Sequence, residues 1–196
     1  EIRHGAALGS EISLQQLREE YDAVFLGFGL PGVNSLGLDN ETIEGVLNAV
    51  DYIAELRQAK DKAKLPVGRR VVVIGGGMTA IDIAVQSKRL GAEFVDIVYR
   101  RGPEQMGASR HEQQLAQTTG VSIRHWAAPS RLLGDDRVTG VEFTRTRLNA
   151  SGKLELTDET WTIDADVVYK AVGQRIPAAV FGALSDDIAQ EHGKLD

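Results

Sequence analysis

At 196 residues and 42% hydrophobic content the chain is long enough to bury a core, and it contains no cysteine, which excludes disulfide exchange, thiolate nucleophiles and iron–sulfur ligation by its own side chains. The formal net charge is -6 and no Lys/Arg block exceeds two residues, so nucleic acid and an anionic membrane surface find no electrostatic footprint. No apolar run approaches the ~20 residues that span a bilayer, and the lack of cysteine fits a reducing cytoplasm.

The chain opens on Glu1 in a strand-like stretch, IRHGAAL, and reads as a piece of a longer protein. Ser13 and Gln16 form the pattern of a capping box ahead of a short helix, and YDAVFLGFG at 21–29 reads as a buried strand ending in glycines. A loop with Pro31 follows. Apolar residues at Val46, Ala49, Val50, Ile53, Ala54 and Leu56 predict one helix over 46–60, with KDKAK at 60–64 as its solvated end. Pro66 and Gly68 open the next unit.

From there the pattern alternates. Residues 69–74 predict a strand, 78–90 a helix stopped by Gly91, and 94–99 a second strand. Ser109 with Glu112 makes a second capping box for a helix ending at Gly120, and 121–126 returns as a strand. The β-α-β-α-β order implies a parallel sheet with right-handed crossovers. Residues 138–148 and 153–163 then read as a hairpin across the turn at 149–152, ADVVYKAVG at 165–173 as a last strand, and 177–196 as a weakly specified tail.

Gly75, Gly77 and Ala80 fit G-x-G-x-x-A between a strand and a helix, the context the dinucleotide motif requires. The first glycine turns the chain off the strand, the second leaves room for a pyrophosphate against bare backbone, and Ala80 permits close helix–sheet packing. Unpaired N–H groups and the helix dipole then attract phosphate. The alternative is a tight turn with no ligand.

Sites for NAD and FAD place Asp or Glu at the tip of the second strand; here Tyr99, Arg100 and Arg101 stand there, while Asp96 falls mid-strand. Guanidinium groups pair bidentately with phosphate, so the arginines favour the 2′-phosphate of NADPH over a free ribose hydroxyl. A solvated surface pair is the competing explanation.

Other chemistry is missing. His4, His111, His125 and His192 lack metal-ligand spacing and read as surface or capping residues; no G-x-S-x-G occurs, and no tyrosine is followed four positions later by lysine. Trp126 and Trp161 read as packing residues, and Asp82 as a first-turn acid stabilising the helix start. No catalytic residue and no metal ligand is assigned. A nucleotide site without acid, base or nucleophile suits hydride transfer to a second cofactor, which needs positioning more than proton chemistry.

GRRVVVIGGGMTAIDIAVQSKRLGA followed by VYRRGPEQMGAS resembles the NADPH-binding domain of the glutamate synthase small (beta) subunit family, which includes the NADPH-oxidising portion of dihydropyrimidine dehydrogenases. YDAVFLGFGLPGVNSLGL resembles the crossover out of an FAD domain, and ADVVYKAVGQ the strand leading back, so the likeness covers residues 21–175. The resemblance implies a Rossmann-like three-layer α/β fold with a parallel sheet plus a β-hairpin or meander, one half of a two-dinucleotide flavoprotein. In it NADPH reduces FAD, and electrons pass through iron–sulfur clusters to a catalytic large subunit that reduces 2-oxoglutarate with glutamine, or to a pyrimidine-reducing centre. By position, Gly75, Gly76, Gly77, Met78 and Thr79 would hold the pyrophosphate, Arg100 and Arg101 the 2′-phosphate, Arg110 a further phosphate, and Val172, Gly173 and Gln174 would lie on the nicotinamide side.

Met78 departs from the Asp or Asn common at its position. Both FAD motifs and the cysteine-rich cluster segment of the family are not found. The expected organisation is therefore 1–65 as a flanking segment resembling part of the FAD domain, 66–175 as the NADPH-binding domain and 176–196 as a C-terminal connector. Alone the module is expected to bind nucleotide without turnover. GLPGVN and GGGMTAID lean toward the pyrimidine-reducing branch. Rival readings are a dinucleotide-sensing domain without redox work and a methyltransferase, the latter disfavoured by Tyr99 and Arg100 where it would need an acid.

Overall fold

The computed structural model describes residues 2–27, 29–30, 32–176, 181, 190–191 and 194–195. In chain order the first elements are α1 (Leu14–Glu20), β1 (Gly32–Val33), β2 (Val46–Asn48), α2 (Ala49–Gln58), β3 (Arg70–Ile74), α3 (Met78–Arg89) and β4 (Phe94–Tyr99). Then come α4 (Arg110–Thr118), β5 (Ser122–His125), β6 (Ala127–Leu133), β7 (Gly140–Leu148), β8 (Leu154–Asp164) and β9 (Val167–Lys170). The last are β10 (Gln174–Arg175), β11 (Gln190–Glu191) and β12 (Lys194–Leu195). These form two compact units, one from the described residues of Glu1–Asn34 and Gln174–Asp196, the other Ser35–Gly173.

In the first unit, Leu14, Ile176 and Phe181 gather Leu8, Val24, Leu26 and Leu30 into a small cluster, and β1 pairs antiparallel with β10. β11 pairs antiparallel with β12. The strand expected at 21–29 does not form among the described residues there, and Phe25 is 95% exposed. An apolar run becomes a strand only where its backbone finds a ladder partner, and among the described residues none pairs with it. The first capping box is half made: the Ser13 hydroxyl accepts from Gln16 N–H at 3.1 Å, but the Gln16 side chain reaches to Glu20. Most of the tail expected at 177–196 lies outside the described residues, as does His192.

The second unit is built on a five-stranded parallel sheet in the order β2-β9-β3-β4-β5. Strand alternation divides its side chains between two cores. Val71, Val73, Val95, Ile97 and Tyr169 pack with Ile53, Leu56, Ile83, Ala84 and Ala116 of the helices. Val72, Ile74, Val98 and Val168 pack on the other face with Leu132, Val141 and Phe143. Those last residues belong to an antiparallel sheet ordered β6-β7-β8, so the unit has three layers: helices, parallel sheet, antiparallel meander.

Two expectations are corrected here. The helix predicted from residue 46 starts at Ala49, because Val46–Asn48 pair in parallel with Val168–Lys170 and the ladder takes the backbone first. β6 was hidden because Pro129 and Ser130 interrupt its alternation, and the structure absorbs them as a register shift between Pro129 and Arg131. The second capping box forms in full, with Ser109 and Glu112 each accepting from the other's N–H.

Beside the C-terminal end of β9, Lys170 pairs with Glu41 at 3.3 Å, both side chains largely covered. Burial raises the Glu41 pKa, but the Ser35 hydroxyl, the Leu38 and Leu36 amides and Lys170 outweigh it and bring it to about 2 from an ordinary 4.5. A depressed carboxylate stabilises the fold fully above its unfolded pKa and loses that contribution as pH falls toward its folded one. Acid titration of stability should therefore show a component draining between pH 4.5 and about 2 that Glu41→Gln removes, read by denaturant melts across that range.

Candidate functional site

β3 stops at Ile74, and the chain leaves the sheet through three glycines. Gly75 has φ 149°, and a Cβ there would sit inside van der Waals distance of the Ala171 carbonyl, so only glycine makes this exit. At Gly76 a Cβ would strike the ring of Tyr99, the last residue of β4. Gly77 differs from both: a Cβ built on it would meet nothing within 4 Å. The first two glycines are demanded by the protein's own packing, and the third fronts open space.

Gly77 is also the N-cap of α3, and no side chain caps this helix. Among the described residues no protein acceptor meets the N–H groups of Gly76, Gly77, Met78 or Thr79, while Gly75 N–H donates to Val98 at 3.1 Å. The first turn carries no acid. Asp82, expected there, lies deeper in the helix, where it pairs with Arg57 at 3.7 Å and accepts from Gln86 at 3.4 Å. The positive end of the helix dipole thus meets no acid in the first turn and no side-chain cap. Ala80 is fully buried against the sheet, as the third motif position requires, and Met78 stands 65% exposed on the first turn.

The tip of β4 borders this loop because Tyr99 packs on Gly76 and its hydroxyl donates to Gln105 at 2.6 Å. Arg100 and Arg101 come next. Their main chain is held: the Thr146 hydroxyl donates to the Arg100 carbonyl at 2.7 Å, and Trp126 N–H to the Arg101 carbonyl at 3.1 Å. Neither guanidinium has an ion-pair or hydrogen-bond partner among the described residues. The segment that follows crosses back over the glycines, with Ala108 N–H donating to Gly76 at 3.1 Å and Gly107 lying against Gly77. Gln113, buried in α4, braces it by donating to the Ala108 carbonyl at 2.9 Å.

The structure therefore gathers Gly75, Gly76, Gly77, Met78, Thr79, Arg100 and Arg101 around one helix start. Arg110, at the start of α4, is clasped by both carboxylate oxygens of Glu104, at 2.7 and 2.8 Å. Val172 and Gly173 follow β9 in the same unit, directly after the Ala171 that confines Gly75. Gln174 belongs to the other unit, where it donates to the Leu30 carbonyl at 2.9 Å. Asp96 is mid-strand as expected, buried and paired with Arg124 at 2.6 Å. His125, expected at the surface, is half-buried with Nε2 3.3 Å from the Met106 sulfur, and burial lowers its pKa. Sequence reasoning placed Tyr99 at the strand tip without its packing on Gly76, and missed Ala108, Gln113 and Thr146, which act through backbone bonds that no motif spacing encodes.

Residues 10–195 match the family described as Pyridine nucleotide-disulphide oxidoreductase. The chain belongs to this family. The chain has no cysteine, so any disulfide chemistry of the family lies outside its own side chains. It is 38% identical to the glutamate synthase (NADPH) small chain of Halomonas elongata, over 97% of this chain and 43% of that protein. The Escherichia coli protein of the same name is 34% identical over 89% of this chain and 40% of its own length. The beta subunit of an NADPH-Fe(3+) oxidoreductase from Geobacter sulfurreducens is 33% identical over 89% and 27%. The chain thus spans less than half the length of these relatives. Among solved structures, Mycobacterium tuberculosis FprA superposes with TM-score 0.73 over 96% of this chain and 58% of its own, at 21% identity, which establishes the fold. Among the described residues no helix is long and apolar enough to cross a membrane.

The three glycines should separate by experiment. Gly76→Ala should destabilise by about 1–3 kcal/mol, because the Tyr99 ring must move, whereas Gly77→Ala should leave the melting temperature unchanged. Thermal denaturation of the two variants checks this, and the Gly77→Ala protein should still have lost phosphate-bearing ligands.

Proposed function

We propose that the chain is the NADPH-binding part of a FAD-dependent oxidoreductase of the glutamate synthase small-subunit type. One observation carries the reading: two unpartnered guanidinium groups flank a helix start that the protein neither caps with a side chain nor neutralises with an acid. That combination suits a dinucleotide with a pyrophosphate at the helix and a third phosphate at the strand tip. Gly77 supplies the bare backbone against which the pyrophosphate lies. Arg110 would join as a further phosphate contact by leaving Glu104, and Val172 and Gly173 would lie toward the nicotinamide. The names of the relatives support the assignment. Those names differ in the enzyme, glutamate synthase or an NADPH-Fe(3+) oxidoreductase, and share NADPH, while this chain matches only part of each.

FAD, held by the rest of the parent protein, would accept the hydride. For a flavin the described residues offer no second glycine turn between strand and helix, and with no cysteine in the chain, iron–sulfur clusters would also reside elsewhere. The residues of this chain would bind and orient the nucleotide, and transfer of a hydride needs positioning more than a proton donor. The described parts of 1–65 would be a flanking piece of the flavin-binding half, with 66–175 as the NADPH domain and 176–196 as a connector. A catalytic large subunit, reducing 2-oxoglutarate with glutamine or alternatively a pyrimidine, would receive the electrons in the cytoplasm.

Calorimetric titration should give clearly tighter binding of NADPH than of NADH, and equal affinities would overturn the assignment. Replacing Arg100 and Arg101 by alanine should cost about 1.5–3 kcal/mol per lost charge-assisted bond for NADPH and little for NADH. Absence of hydride transfer to the flavin in the parent protein, despite tight NADPH binding, would instead identify a nucleotide-sensing domain.

A further inference from the structure

Building on the assignment of Arg100 and Arg101 to the 2′-phosphate, we propose that Thr146 is a positioning residue for nucleotide selectivity that acts through the main chain of the two arginines. β4 ends its ladder at Tyr99, paired with His125 of β5. Past that point the parallel sheet has no further rung to offer, and a closed ring of hydrogen bonds takes over. Trp126 N–H donates to the Arg101 carbonyl at 3.1 Å, Thr146 N–H to the Trp126 carbonyl at 2.9 Å, and the Thr146 hydroxyl to the Arg100 carbonyl at 2.7 Å. Thr146 supplies two of these donors. It is only 2% exposed, on β7 where the register against β8 shifts between Thr144 and Thr146.

Trp126 joins the ring at φ 59°, a left-handed conformation that bulky residues rarely adopt and that persists only where the surroundings over-determine it. Its ring fills the space that a side chain at Gly102 would need. The two arginines are thus bracketed on both sides, by Tyr99 seated on Gly76 and by Gly102 seated on Trp126. With the guanidinium groups unpartnered, this bracketing of the backbone is what fixes where the side chains begin. A fixed starting point lowers the ordering cost when the fork closes on a phosphate. The benefit falls on the 2′-phosphate alone, since the pyrophosphate contacts at Gly75 to Thr79 are common to NADPH and NADH.

The test compares variants of the full chain by calorimetric titration with NADPH, NADH and adenosine 2′,5′-bisphosphate. Thr146→Val keeps the side-chain shape and deletes the donor; it should weaken NADPH and the bisphosphate about five- to tenfold while NADH changes by less than about twofold. Thr146→Ser, which restores the hydroxyl, should recover most of the loss. If Thr146→Val does not fold, as judged by circular dichroism, Thr146→Ala carries the same comparison. Equal losses for NADPH and NADH would mark Thr146 as merely structural and overturn the inference, as would no loss for either. The Arg100→Ala, Arg101→Ala double variant separates the two layers of the argument. If it leaves the NADPH-to-NADH ratio unchanged, the arginine assignment fails and this inference with it. If it collapses the ratio and Thr146→Val does not, the assignment stands and Thr146 has no part in it.

Discussion

At Gly75 and Gly76 the main chain runs against the Ala171 carbonyl and the Tyr99 ring so closely that no side chain fits, and the remainder of the site is arranged around that contact. Because Ala171 follows β9 and Tyr99 ends β4, the glycine turn is gripped between the two strands that flank β3 in the sheet. The start of α3 is thereby held at the carboxyl edge of the parallel strands, the place where open α/β sheets bind ligands. Turn, helix start and arginine tip are consequences of one packing constraint, and none of them can shift without the others.

Electrostatics follows from that placement. The first turn of α3 carries no acid, and three carboxylates of the same unit are engaged elsewhere: Asp82 with Arg57, Asp96 with Arg124, Glu104 with Arg110. The exposed pairs of Asp82 and Glu104 contribute little to stability, whereas the Asp96 side chain is largely buried. Each pairing offsets a carboxylate with a guanidinium, while Arg100 and Arg101 have no such partner among the described residues.

Much of the second unit was legible in the sequence because its signals are local. β4 is the predicted strand residue for residue, α3 ends within one residue of its predicted limit, and the Ser109 capping box forms as written. What escaped was non-local. β2 is a strand only because β9 lies beside it, and the described residues of the apolar run at 21–29 find no such partner among the described residues. The glycine motif and the arginine pair were readable from spacing and residue type. The supports beneath them were not, since Thr146 reaches Arg100 across 46 residues of sequence through a hydroxyl whose partner is a carbonyl of no particular identity.

The close seat of Trp126 on Gly102 has a practical consequence. The chain holds two tryptophans, and the other, Trp161, is stacked with Phe143 in the antiparallel sheet beneath the Arg145 guanidinium. Trp126 alone adjoins the segment that carries the arginines. With Trp161 replaced by phenylalanine, the intrinsic indole emission becomes a reporter built into the wall of the cleft, able to follow in real time and without any attached label how that segment settles when an anion arrives.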